Sequence, residues 1–158
     1  EKEIFFLIVG DGPKKQELKK RAEKMNLNNL IFLPIQPRKT YFKIVLASRA
    51  CIVTLNKDYT SPTLPSKVPE LMGLGKPLIV NAPKDSEVVR VVSKASCGLI
   101  VEPGDPESFA RAVLTLSRNE DLAKRLGSNG KLFAEKNFSP SICIDRYEEI
   151  FYSLKRQK

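Results

Sequence analysis

The sequence predicts an α/β fold in which a parallel sheet is covered by helices on both faces. Two observations carry this. Short β-branched or aromatic runs alternate with longer amphipathic segments along most of the chain. The short runs are also apolar without alternation, as strands buried on both faces are. The length of 158 residues is one domain's worth of chain, and the composition, 42% hydrophobic and 28% charged, is that of an ordinary globular protein.

Glu3–Val9 (EIFFLIV) reads as a buried strand, closed by Gly10-Asp11-Gly12-Pro13. A helix over Lys14–Met25 follows, with Leu18, Ala22 and Met25 on one stripe. Leu30–Leu33 is the second strand. After the Pro34/Pro37 loop a helix begins near Thr40, with Phe42, Val45 and Leu46 facing inward. Cys51–Leu55 is the third strand, and the long polar loop Asn56–Pro65 leads into a short helix, Ser66–Leu74, stopped by Gly75. Pro77–Asn81 is the fourth strand, Ser86–Lys94 the fourth helix, and Gly98–Val101 the fifth strand. Asp105-Pro106-Glu107 starts the next helix by local chemistry: Asp accepts from the exposed amides, Pro suits the first turn, and Glu complements the positive end. Its apolar stripe is Phe109, Ala112, Val113 and Leu116. Helices near Glu120–Lys136 and over Pro140–Lys155 complete the chain, the last with Tyr147, Ile150, Phe151 and Leu154 as its inner face. The result is a Rossmann-like α/β layer with C-terminal helices.

Composition excludes several chemistries. The chain has no histidine, which removes Ser-His-Asp triads, Cys-His dyads and His-based zinc sites. Its three cysteines, Cys51, Cys97 and Cys143, form no Cys-x-x-Cys pair and read as reduced, buried thiols of a cytoplasmic protein. No apolar run approaches the ~20 residues of a membrane-spanning helix, and the charged opening Glu1-Lys2-Glu3 does not read as a signal peptide.

The formal net charge is +9, and residues 1–50 hold eleven basic against five acidic residues. Lys14, Lys15, Lys19, Lys20, Arg21 and Lys24 share one helix. A solvated helix face accounts for them; attraction to anionic head groups or a phosphorylated substrate is the functional alternative. Nucleic acid is not an expected partner, because no aromatic residues interleave with the charges.

In parallel α/β sheets, ligands bind beyond the carboxyl ends of the strands. That confines the site to the loops Gly10–Pro13, Pro34–Arg38, Asn56–Ser66, Ala82–Ser86 and Glu102–Asp105. Gly10-Asp11-Gly12 is no dinucleotide fingerprint, since Lys15 stands where the third glycine belongs and no acidic residue ends the next strand. Gly75-Lys76 is followed by Pro77, so a P-loop fails as well. The segment from Ser61 to Pro77 is different. It delivers a helix start to the carboxyl edge, with Lys67 adding a full positive charge and Glu70 about one turn inside. A diphosphate at the helix start with Glu70 on a neighbouring ribose would satisfy these groups; equally, Ser66 could cap the helix and Glu70 complement its dipole.

PSKVPELMGLGKPLIV resembles the donor-binding signature of retaining, family-four glycosyltransferases of the GT-B fold. IVGDGPKKQELKK, FLPIQPR, GKPLIVNAPKDSEVV and CGLIVEPGDPESFARAV follow in the family's order and spacing, over nearly the whole chain. FLPIQP and PSK are most similar to a subgroup building bacterial surface polysaccharides, including amino-deoxyhexose transferases. The resemblance implies that residues 1–158 form the sugar-nucleotide donor-binding half of a GT-B enzyme. Glu70 would hold the ribose hydroxyls, Ser66 and Lys67 the diphosphate. Ile35 and Gln36 would lie near the nucleobase, with Thr63 and Leu64 near the diphosphate or donor sugar. Pro62 stands where the family has its first glutamate, so contact with the donor sugar must differ.

The resemblance further implies a UDP- or GDP-sugar as substrate, no metal or other cofactor, and a polysaccharide or lipid-linked acceptor. It places the protein in the cytoplasm and leaves peripheral contact with the cytoplasmic membrane face open. By the same comparison the acceptor domain and the first strand and helix of the donor domain are missing, so these residues alone would bind nucleotide weakly and transfer no sugar. No residue is expected to act as general base. A GT-B sugar-nucleotide epimerase, or a Rossmann-like nucleotide-binding or interaction module without transferase activity, are the alternatives.

Overall fold

The computed structural model describes residues 4–59 and 61–155. The elements run β1 (Phe6–Val9), α1 (Lys15–Lys24), β2 (Leu30–Leu33), α2 (Arg38–Ala47), β3 (Cys51–Thr54), α3 (Lys67–Gly73), β4 (Leu78–Asn81), α4 (Glu87–Ala95), β5 (Gly98–Val101), α5 (Pro106–Arg118), α6 (Glu120–Phe138) and α7 (Pro140–Lys155). This is the α/β order expected, with every strand pair parallel. The strands form two sheets, β1–β2 and β3–β4–β5, and the chain divides into two compact units, residues 1–47 and 48–158.

In the first unit β1 pairs with β2, Phe6 opposite Leu30 and Val9 opposite Leu33. The strand is shorter than the seven residues expected, and Glu3 lies outside the described residues. It is also not buried: Leu7 and Ile8 are 45% and 41% exposed. A parallel sheet of two strands has too little area to enclose both faces of either one. The same shortfall corrects the helix stripes. Of Leu18, Ala22 and Met25 only Ala22 is buried, and of Phe42, Val45 and Leu46 only Val45 is, with Phe42 half-buried and Leu46 exposed. Two of the basic residues of α1 have local contacts. Lys15 Nζ donates to the Gly10 carbonyl at 2.8 Å and Lys19 sits 6.0 Å from the Phe32 ring centroid, while Lys20, Arg21 and Lys24 face solvent.

The second unit holds most of the core. β4 lies between β3 and β5, so Leu78, Ile79 and Val80 are all at or below 2% exposure. Side chains of a strand alternate between faces. Ile79 accordingly packs with Val101 against Ala112 and Leu116 of α5 and Ala123 and Leu126 of α6, edged by Phe109 and Val113 as the periodicity of α5 predicts. Buried Val68, Leu71 and Met72 of α3 and Val88, Val91 and Val92 of α4 supply further core. The α5 start also follows the expectation: Asp105 Oδ1 accepts from Ser108 N at 2.8 Å, with Pro106 in the first turn.

The last helix departs from it. Tyr147, Ile150, Phe151 and Leu154 do not form an inner face; they are 55–66% exposed, and α7 buries no residue. The periodicity is that of an amphipathic helix, but α7 meets the rest of its unit chiefly along α6. Cys51, Cys97 and Cys143 are free thiols, the second fully buried and the others half-buried.

Candidate functional site

The loop 55–66 leaves the carboxyl end of β3, an outer strand of the three-stranded sheet, on the edge where a parallel sheet offers its ligand surface. Its departure is fixed, because Leu55 N donates to the Asn81 carbonyl at 2.9 Å and prolongs the β3–β4 ladder by one bond. An Asx turn follows, with Asp58 N on Asn56 Oδ1 at 3.4 Å and Tyr59 N on the Asn56 carbonyl at 3.0 Å. Tyr59 Oη then lies 2.8 Å from Thr63 Oγ1, and Ser61 Oγ 2.9 Å from the same oxygen. At the far end Val68 N donates to the Pro65 carbonyl at 2.9 Å and begins α3.

Seven residues make a short helix, and α3 is held by its packing rather than by its own length. Val68, Leu71 and Met72 are buried at 0–4% exposure, and α3 packs chiefly along α6. The opposite side of its first turn carries Lys67, exposed, and Glu70, half-buried. Among the described residues no ion pair engages Glu70. Ser66 forms no side-chain cap; its backbone is already helical, φ −56° and ψ −26°, and its hydroxyl stays at the surface. A purely capping role for Ser66 is thereby set aside.

Thr63, Leu64, Ser66, Lys67 and Glu70 thus belong to one continuous loop and first helical turn. Thr63, Ser66 and Lys67 are exposed, Leu64 half-buried. Ile35 and Gln36 belong to the first unit, in the loop that leaves the carboxyl end of β2. Ile35 is 73% exposed and Gln36 Nε2 donates to the Pro34 carbonyl at 3.0 Å. The hydroxyl cluster of Tyr59 and Ser61 around Thr63 was not foreseen. Tyr59 as the lone aromatic of a polar loop is the signal that marks it in the sequence.

Two concavities lie at other carboxyl-edge loops. One, about 230 Å³, surrounds Gly10-Asp11-Gly12-Pro13 in the first unit. There Gly10 has φ +137° and Lys15 N donates to the Gly12 carbonyl, so the glycines make a tight turn. The other, about 290 Å³, is lined by Thr54, Asn81, Gly104, Asp105, Pro106 and Phe109. Among the described residues no group of three or more Cys, Asp or Glu is placed to hold a metal ion, and no helix is long and apolar enough to cross a membrane.

The family model described as "Glycosyl transferases group 1" matches residues 1–133. The chain belongs to this family. An uncharacterized glycosyltransferase of Methanocaldococcus jannaschii is 26% identical over 151 residues, 96% of this chain and 37% of the relative. The O-antigen chain mannosyltransferase C of Escherichia coli is 24% identical over 152 residues, again 96% of the chain and 40% of the relative. Among solved structures, Anabaena HepE in complex with UDP-glucose superposes with a TM-score of 0.78 at 19% identity, over 97% of this chain and 42% of that one. The fold is therefore that of GT-B glycosyltransferases, and the chain spans about two fifths of the length of the relatives it matches.

Proposed function

We propose that this chain is the donor-binding half of a retaining glycosyltransferase that takes a UDP- or GDP-sugar and serves a polysaccharide or lipid-linked acceptor. The observation that supports it best is Glu70: a carboxylate half-buried in the first turn of α3, at the carboxyl edge of β3, that no described cation neutralises. A carboxylate so placed accepts from two vicinal hydroxyls, as a ribose presents them. Lys67 and the amides that open α3 complement a diphosphate next to it.

The chemistry this allows is electrostatic. Sugar transfer leaves charge on the departing nucleoside diphosphate, and fixed donors aimed at that charge lower the barrier without any proton transfer. Lys67 would act as such a donor, with no metal ion required. Ile35 and Gln36 would flank the base, and Thr63 and Leu64 the diphosphate or the sugar. Activation of the acceptor falls to residues outside this chain.

Calorimetric titration with UDP, GDP and NAD tests the reading. UDP or GDP should bind, and Glu70→Ala should weaken that binding at least about tenfold while circular dichroism shows an unchanged fold. NAD binding, or Glu70→Ala without effect, sinks it.

A further inference from the structure

We propose that the cavity of about 290 Å³ at the carboxyl ends of β3 and β4 is a second binding site, one that takes a neutral saccharide unit. Neither Glu70 nor α3 belongs to it, so it stands apart from the nucleotide reading above.

The observation that carries it is an unpaired acceptor. Asn81 ends β4, and its backbone carbonyl accepts from Leu55 N at 2.9 Å. Its side-chain oxygen Oδ1 is buried and, among the described residues, has no hydrogen-bond partner. A carbonyl left so destabilises a fold unless something donates to it. Asn81 lines the cavity together with Thr54, Gly104, Asp105, Pro106 and Phe109. The last torsion of an amide side chain turns through a broad range, which brings Oδ1 within reach of a donor seated there.

The sheet separates this cavity from α3. Strand residues two apart share a face, so Thr54 and Asn81, paired in register, lie on the side of Ile79, which α5 covers. The other side belongs to α4: a Cβ built on Gly98 would stand 3.0 Å from both Leu78 Cβ and Val92 Cγ1. The crossovers β3–α3–β4 and β4–α4–β5 step the same way along the sheet. Both being right-handed, they put α3 on the face of α4. The far wall of the cavity is a turn, in which Asp105 N donates to the Glu102 carbonyl at 3.3 Å and Gly104 has φ +92°.

The lining selects the ligand. Asn81 offers an amide, Thr54 an exposed hydroxyl, and Asp105 the carboxylate oxygen that Ser108 N does not hold. Pro106 and half-buried Phe109 add an apolar wall. Hydrogen-bonding groups beside such a wall match a sugar ring, whose hydroxyls surround a face of C–H bonds. The volume, at the lower end of the range for ligand pockets, which starts near ~300 Å³, suits one ring. The Asp105 carboxylate disfavours an anion, and Lys84 on the neighbouring loop is paired with Glu102. A full positive charge would exchange its hydration for a neutral amide, which is a poor return.

Heteronuclear NMR of the 158-residue chain tests this. The probes are methyl α-glucoside, methyl α-mannoside and N-acetylglucosamine, set against inorganic phosphate, UDP and ethylammonium. At least one of the sugars should shift the signals of Thr54, Asn81 and Gly104, and saturation with UDP should not displace it. Asn81→Leu replaces the unpaired amide by an apolar group of similar shape. It should weaken the sugar at least about tenfold while the denaturation midpoint holds or rises. Thr54→Val, at an exposed position, should weaken it about threefold and decides the matter if Asn81→Leu does not fold. No sugar-induced shift, or shifts from phosphate or ethylammonium alone, overturns the proposal. So does sugar affinity unmoved in both variants, displacement by UDP, or a folded Asn81→Leu of lower midpoint, which would mean that Oδ1 is satisfied within the fold. Sugar binding as described in a chain that binds neither UDP nor GDP supports the proposal and overturns the nucleotide reading alone.

Discussion

Gly127 and Gly75 meet backbone to backbone: a Cβ built on Gly127 would stand 2.1 Å from the Gly75 carbonyl oxygen. Gly75 turns the chain out of α3 with φ +69°, so this contact presses the middle of α6 against the end of the helix that carries Glu70.

Gly127→Ala should therefore cost more than an ordinary helix substitution. Alanine is the better helix former, so any loss reports the clash, which only a shift of backbone can relieve. We expect about 3 kcal/mol of destabilisation, read as a lower denaturation midpoint. An unchanged or raised midpoint would show that α3 and α6 separate freely.

Asp105 offers a pH-dependent probe. The hydrogen bonds it accepts at Ser108 hold its carboxyl below the usual 3.8, with Arg111 adding a smaller attraction. A depressed folded-state value means that the carboxylate stabilises the fold above pH 3.8 and that this support is lost as pH falls through the lower folded value. Asp105→Ala should melt below the wild type at pH 7, Asp105→Asn should recover part of the difference, and the gap should narrow in acid. A gap that widens on acidification would contradict the assigned sign.

Thiol reactivity should separate the native from the unfolded chain. Burial pushes the Cys51 and Cys97 thiols up to about 11, opposed at Cys51 by the positive charge of Lys76. At pH 8 both stay protonated, and the thiolate is the reactive form. Native protein should label slowly at these two positions with an aromatic disulfide reagent and rapidly in denaturant, as peptide mapping would show. Rapid native labelling at Cys97, which is fully buried, would contradict the packing described.

The two ends of the apolar scale should respond in opposite ways. Leu116 is 1% exposed within the α5–α6 core, and Leu116→Ala should cost about 2–5 kcal/mol. Phe151 is 66% exposed on α7, and Phe151→Ser should stay within about 0.5 kcal/mol. Chemical denaturation decides between them; a large loss at Phe151 would mean that α7 is covered in solution.

What the sequence reveals follows the range of the interactions concerned. The Asp105 cap and the strand–helix order are local, and they stand where the residues place them. The core stripe of α5 is equally legible, because a sheet lies beneath it. Periodicity identifies the apolar side of α7 with the same clarity, yet it carries no information on whether anything covers that side, and Tyr147 to Leu154 remain exposed. β1 fails in the same way, since a buried-strand pattern states a demand that the two-stranded sheet does not meet. Around the candidate site, Glu70 and Lys67 could be placed on a helix start from their spacing. The meeting of Tyr59 with Thr63 could not, because it depends on how an irregular loop folds back on itself.

The β3–β4 ladder closes with the bond from Leu55 to Asn81, and packing resumes at Val68, fully enclosed on the buried side of α3. The stretch hung between those two posts can be rewritten without loosening either. Changes at its exposed positions, Pro62, Thr63 and Ser66 among them, then fall on side chains that carry none of the core, and the scaffold on either side stays unaltered.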